Sequence, residues 1–216
     1  MTTNPDIETP TKILLSAGEL FASFGFHGTS IRAVTQKAKV NLAAIHYHFG
    51  DKKSLYCSVI SNQLRPINQV RLVGLANALK YSGDKPIPLS LLVDIYARPL
   101  FDLCVDDPNG LAMIRLLGRS MIEPLPFVDK LLAEELHPVT AQFAQAIRRH
   151  VHRLTPEGFM WRVSFVVGAM HHTLATMHRM RDLTRGLCRD NDAETALRQF
   201  VQLATATLSA PIEAGS

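Results

Sequence analysis

An all-α protein is what the sequence predicts. Apolar residues recur at helical spacing along nearly the whole chain, and the strict alternation of strands is almost absent. Short clusters of turn-forming residues punctuate the pattern at "SGDKPIP", "DDPNG", "EPLP", "HP", "LTPEG" and "RDND". With 216 residues, 47% of them hydrophobic, the chain can bury a substantial core.

In the first helix Thr9 is placed to cap the N-terminus with Pro10 at the first helical position, and Ile13, Leu14, Ala17, Leu20, Phe21 and Phe24 make one stripe. Gly25 is expected to stop it in the left-handed conformation, with Phe26 folding back onto Phe21. A short second helix starts after Thr29 or Ser30, either of which can cap it, and reaches about Ala38. Asn41 caps a third, Leu42 to about His48, with Ile45 and Phe49 on its inner side. Asp51 caps a fourth, whose inner face includes Leu55, Val59 and Ile60, and a kink or break is expected at Pro66. Further helices are expected at 88–105, 110–122, 126–136, 139–153, 156–182 and 192–209.

Charge separates one segment from the rest. Residues 29–53 hold Arg32, Lys37, Lys39, Lys52 and Lys53 against Asp51, while the remaining chain carries 18 bases and 18 acids. The whole formal excess of +4 is therefore local, which points either to an anionic partner or to a solvated charged face. Cys57, Cys104 and Cys188 are few and widely spaced, so neither a disulfide framework nor a zinc finger is indicated, and a reducing cytoplasm fits. The stretch "MTTNPDIETPTK" has no signal-peptide pattern, and the apolar window 159–177 is interrupted by Arg162, His171 and His172, so no membrane span is expected.

Two short helices joined by a tight turn, the second apolar inside and ring-bearing outside, make a helix-turn-helix. Ala43 and Ala44 are small enough to let the backbone approach base edges in a major groove, and His46 and Tyr47 reach bases or phosphates. Lys52 and Lys53 stand at a helix N-terminus, where side-chain charge and free N–H groups together favour a phosphate. A metal site is disfavoured because His46 and His48, two apart on a helix, point away from each other. No GxSxG, HExxH or glycine-rich phosphate loop is present, so no catalytic residue and no cofactor is assigned.

The run "KILLSAGELFASFGFHGTSIRAVTQKAKVNLAAIHYHFGDKKSLY", residues 12–56, resembles the DNA-binding domain of TetR-family transcriptional repressors along its whole length. Phe21 and Gly25, the "TSIR" opening of the second helix, the "YHF" close of the third and the lysines after it carry the likeness. The resemblance implies an all-helical homodimer with an N-terminal three-helix head, residues 1–56, and a divergent C-terminal domain, residues 57–216, that dimerises and binds a small ligand. By position it implies contacts with double-stranded operator DNA at Arg32, Leu42, Ala43, Ala44, His46, Tyr47, His48 and Lys52. Where the family usually has glycine in the turn this chain has Lys39, and a left-handed lysine costs on the order of 1 kcal/mol. Either the turn is remodelled or Lys39 adds a phosphate contact.

Beyond the head, "VNLAAIHYHFGDKK", "LLGRSMIEP" and "WRVSFVVGAMHHTL" resemble the PsrA branch of that family, which responds to long-chain fatty acids. Leu103, Met113, Leu117, Met121, Phe127 and Phe143 are candidates to line a pocket for a small hydrophobic effector, core packing being the other role open to them. His171 and His172 face different ways and cannot share one ion; either can be a polar contact in the pocket. The helix from Pro156 is apolar on nearly all sides, as if covered by its own domain and by a partner. With the last helix, striped by Leu197, Phe200, Val201, Ala204 and Leu208, it looks like the family's dimer-forming pair, and Phe165 and Ala169 are its interface candidates. The expected function is a ligand-responsive repressor that binds a palindromic operator as a homodimer; a helical enzyme and a protein-binding adaptor with a vestigial head are the alternatives.

Overall fold

A computed structural model describes residues 8–106, 110–151 and 154–211. Among them there is no strand. The helices are α1 (Thr9–Gly28), α2 (Ile31–Ala38), α3 (Leu42–Phe49), α4 (Lys52–Ser82), α5 (Leu89–Asp106), α6 (Gly110–Ile122), α7 (Pro126–Arg148), α8 (Pro156–Thr176), α9 (Met180–Leu183) and α10 (Ala193–Ser209). They form two compact units, one holding the described residues through Pro66 with Ala112–Glu135, the other Ile67–Leu111 with the described residues from Leu136 onward. The first unit therefore extends beyond 1–56 and draws in most of α6 and the start of α7.

In the first unit α1 buries Ile13, Ala17, Phe21 and Ala22. Gly25 adopts φ +70°, and Phe26 turns back to stack on Phe21 with ring centroids 6.5 Å apart. Phe26 rather than Phe24 thus closes the stripe, and Phe24 is left exposed. One cap assignment differs from expectation, and the choice between Thr29 and Ser30 is decided. Thr9 lies inside α1, with Glu8 at the cap position. Thr29 is buried, and its hydroxyl donates to the carbonyls of Gly25 at 2.9 Å and Leu20 at 3.1 Å, closing the end of α1; Ser30 alone caps α2. From α4, Tyr56 packs edge-on against Phe21 and Phe26, at 4.7 and 5.3 Å between centroids.

Pro66 and Pro138 do not end helices here. The structure shows α4 running unbroken through Pro66 to Ser82, and α7 running through Pro138 where two separate helices were expected. An internal proline removes one backbone bond at a cost of about 3 kcal/mol. Burial on both sides offsets it: Leu64 and Ile67 flank Pro66 inside the protein, and Val139 and Phe143 follow Pro138 into the core. α7 ends at Arg148, short of the expected 153, and the described residues 149–151 are not helical. α8 stops at Thr176, short of 182, in a 3-10 turn over Met177–Arg179. The following loop holds it there, since Asp190 accepts from the Arg181 N–H at 2.7 Å and Asn191 N–H donates to the Met177 carbonyl.

In the second unit Leu75, Ile87, Leu92, Val139 and Phe143 form a core cluster. α4 and α5 approach closely at Gly74, where a β-carbon would stand 2.7 Å from Ile95 Cγ2. α10 packs on α5 and α8, with the Phe101 and Phe200 rings 5.8 Å apart.

Candidate functional site

Each of α2, α3 and α4 begins on a side-chain cap that fixes its entry. Ser30 accepts from Ala33 N–H at 3.1 Å, Asn41 Oδ1 from Ala44 N–H at 2.8 Å, and Asp51 Oδ1 from Ser54 N–H at 2.7 Å. That last bond is the chief cause holding the exposed Asp51 carboxyl below its usual range. The turn between α2 and α3 is a Schellman closure: Lys39 N–H donates to the Gln36 carbonyl and Val40 N–H to that of Thr35, with Lys39 at φ 55°, ψ 44°. The lysine is therefore left-handed without remodelling of the turn.

Ile45 anchors α3 from below and is fully buried, while Phe49 is half-buried. Leu42, Ala43, His46, Tyr47 and His48 are exposed, and Ala44 is half-buried at the edge of that face. Tyr47 is 85% exposed, with its ring edge-on to His48 at 4.9 Å. His46 Nδ1 lies 2.7 Å from the Gly50 carbonyl oxygen, which can only accept, so Nδ1 carries the proton and Nε2 is left for an outside partner.

Around this face the charges are not equivalent. Arg32 is exposed. Lys37 pairs with Glu19 of α1 at 2.7 Å, which removes one of the five bases from the local excess. Lys52 is half-buried with its ammonium 4.5 Å above the Phe26 ring, a contact that fixes it at the start of α4, and burial lowers its pKa. Arg119 and Glu123 of α6, absent from the sequence reading of the head, pair at 2.8 Å and cover the Gly25 turn, where a β-carbon would meet Glu123 Oε1 at 2.8 Å.

A second candidate site lies in the other unit. A cavity of about 460 Å³ is bounded by Leu92 and Tyr96 of α5, Phe143 and Ile147 of α7, and Val163 and Met170 of α8, among others. Its size falls within the about 300–1,000 Å³ of small-molecule sites. Of the residues expected at a pocket, only Phe143 lines it. Met113, Leu117, Met121 and Phe127 belong to the first unit, where Phe127 packs on Phe26 at 5.1 Å. Leu103 is half-buried away from the cavity lining and His172 is exposed. His171 also does not line it, its Nδ1 being bonded to the Val167 carbonyl at 2.9 Å, and burial lowers its pKa.

The α10 stripe needs the same correction. Leu197, Phe200, Ala204 and Leu208 are buried within the chain and Val201 is half-buried. α5 and α8 already cover that stripe, so it is not a free face. On α8 Ala169 is half-buried, whereas Phe165 is 62% exposed and stacks on exposed Trp161 with centroids 6.0 Å apart.

A model of the bacterial regulatory proteins of the tetR family matches residues 13–59, and a Tetracyclin repressor-like C-terminal domain model matches residues 94–207. The chain is 33% identical over 89 residues to a probable HTH-type transcriptional regulator, YttP, of Bacillus subtilis, a match spanning 41% of this chain and 42% of YttP. It is 23% identical over 195 residues to the HTH-type transcriptional regulator UidR of Escherichia coli K12, across 88% of this chain and 85% of UidR. In fold it is similar to the fatty acid degradation regulator FadR of Bacillus halodurans, at a TM-score of 0.64 and 12% identity, covering 95% of this chain and 97% of that one.

Proposed function

This chain belongs to the TetR family of transcriptional regulators, and from that membership we propose that it is a repressor that binds a palindromic operator as a homodimer and is released by a small hydrophobic effector. The observation that carries the DNA side is Tyr47, an aromatic ring 85% exposed on the outer face of α3, the helix that a helix-turn-helix lays in the major groove. With it on that face stand Leu42, Ala43, His46 and His48, Ala44 at the edge, Arg32 from α2 and Lys52 from α4, spaced to read a major groove and hold the flanking phosphates.

The homodimer is supported by the outer face of α8, where Met160, Trp161 and Phe165 are exposed at helical spacing, with exposed Leu203 on α10. The effector is supported by the cavity, whose walls are almost wholly aliphatic and aromatic, and fatty-acyl chains are one class that suits such walls. The test is selection of binding sequences from random duplex DNA by the purified full chain. The expected outcome is an enriched inverted repeat with half-sites about 34–36 Å apart or a multiple of one helical turn. Failure to enrich any motif above random duplex overturns the reading.

A further inference from the structure

Arg71 of α4 is 2% exposed, the largest of the fully buried side chains. Its Nε donates to the Tyr96 carbonyl at 2.7 Å, its Nη1 to Asn68 Oδ1 at 3.2 Å, and its guanidinium carbon stands 3.9 Å over the Tyr96 ring. All three partners are neutral. No described carboxylate forms an ion pair with it, and Nη2 has no hydrogen-bond partner among the described residues. A buried cation with neutral neighbours and a free donor is among the costliest arrangements a fold can keep, and an anion that the protein itself does not supply would relieve it.

The position supplies the rest. Tyr96, which Arg71 both bonds and underlies, is a wall of the 460 Å³ cavity, and its ring meets Phe143, another wall residue, at 5.2 Å. Val167 also lines the cavity, and His171, bonded to its carbonyl, lies close enough to Arg71 that the guanidinium charge helps keep the imidazole neutral. One cation thus stands directly behind an otherwise apolar wall.

We propose that Arg71 is the head-group anchor of the effector site, so that the effector is an amphiphile whose apolar part fills the cavity and whose oxyanion, a carboxylate or phosphate monoester, takes Nη2 of Arg71 by displacing the Tyr96 ring. The assignment rests on the reading of the cavity as the effector site and adds the chemical class of its ligand. Arginine suits either oxyanion because its fork offers parallel N–H donors that stay charged at any physiological pH.

Calorimetric titration of the full chain with decanoate, decyl phosphate and 1-decanol tests it, since the three share one tail and differ in head. Decanoate or decyl phosphate is expected to bind at least about tenfold more tightly than 1-decanol, and whichever does so identifies the head group. Arg71→Met should abolish that preference while leaving 1-decanol binding within about twofold. Arg71→Gln, which keeps a donor for the Tyr96 carbonyl but not the charge, is the second variant with the same expectation. If 1-decanol binds the parent as tightly as both anions, or a folded variant keeps the preference, the head-group assignment falls and the cavity reading stands. If none of the three binds, the cavity reading falls and takes the assignment with it.

Discussion

Lys39 shows how one residue can bear a cost that its position could relieve. At φ 55° its β-carbon meets the steric penalty that glycine escapes, yet the Schellman bonds of α2 need that conformation. Lys39→Gly is therefore expected to raise stability by up to about 1 kcal/mol in denaturant unfolding. If the lysine also touches a phosphate, the same variant should lower the salt slope of operator binding by about one. Stability unchanged or reduced in Lys39→Gly would show that the turn carries no such strain. Tyr47 is the complementary case: it is exposed, so Tyr47→Ala should leave the melting temperature nearly unchanged while weakening operator binding by about 1–3 kcal/mol. Loss of folding in Tyr47→Ala would put that ring in the core and end its assignment to the DNA face.

Between elements, the α8 and α10 pair separates folding from assembly. Phe200 is buried under α5 and Phe165 is exposed on α8, so truncating them should report on different events. Phe200→Ala is expected to destabilise the chain by about 3–5 kcal/mol, the range for an aromatic removed from a core. Phe165→Glu is expected to leave the chain folded and convert the dimer to monomer in sedimentation equilibrium, since a carboxylate would be buried without a partner at the interface. A dimer of parental affinity in Phe165→Glu would move the interface elsewhere. The same pair shows what was legible in sequence. The starts of α2, α3 and α4 and the stop at Gly25 could be read because glycine, serine, asparagine and aspartate act locally, within four residues of where they stand. Which neighbour covers an apolar stripe is not local: α10 shows the same pattern whether α5 or a second subunit lies against it. Pro138 misled for a related reason, since burial of Val139 and Phe143 is decided by tertiary packing. Arg71 did leave a signal. It occupies a core position of the stripe Leu64, Ile67, Arg71, Leu75, where a charge is out of place and calls for a partner.

For the whole molecule, the proposed release from operator by an effector requires the two candidate sites to be coupled, and α4 carries both Lys52 and Arg71, the anchor proposed for the effector. It begins at Lys52 beside the DNA face and carries Arg71 nineteen residues on, and the division between the two compact units falls at Pro66 within it. Pro66 has no N–H to give the Asn62 carbonyl, so the helix is softest there, and a ligand that pulls on Arg71 acts on the half beyond the soft point. Our hypothesis is that this joint has two arrangements, one favoured by operator and one by effector. Coupling of that kind is typically about 1–3 kcal/mol and is reciprocal, so the effector must weaken DNA binding by the factor by which DNA weakens effector binding. Pro66→Ala restores the missing bond and stiffens the joint. Each affinity measured alone is expected to stay within about threefold, under 1 kcal/mol, while the ratio of operator affinities without and with saturating decanoate changes by more than that. If the ratio in Pro66→Ala equals that of the parent, the joint is an inert stretch of helix and the coupling runs by another path.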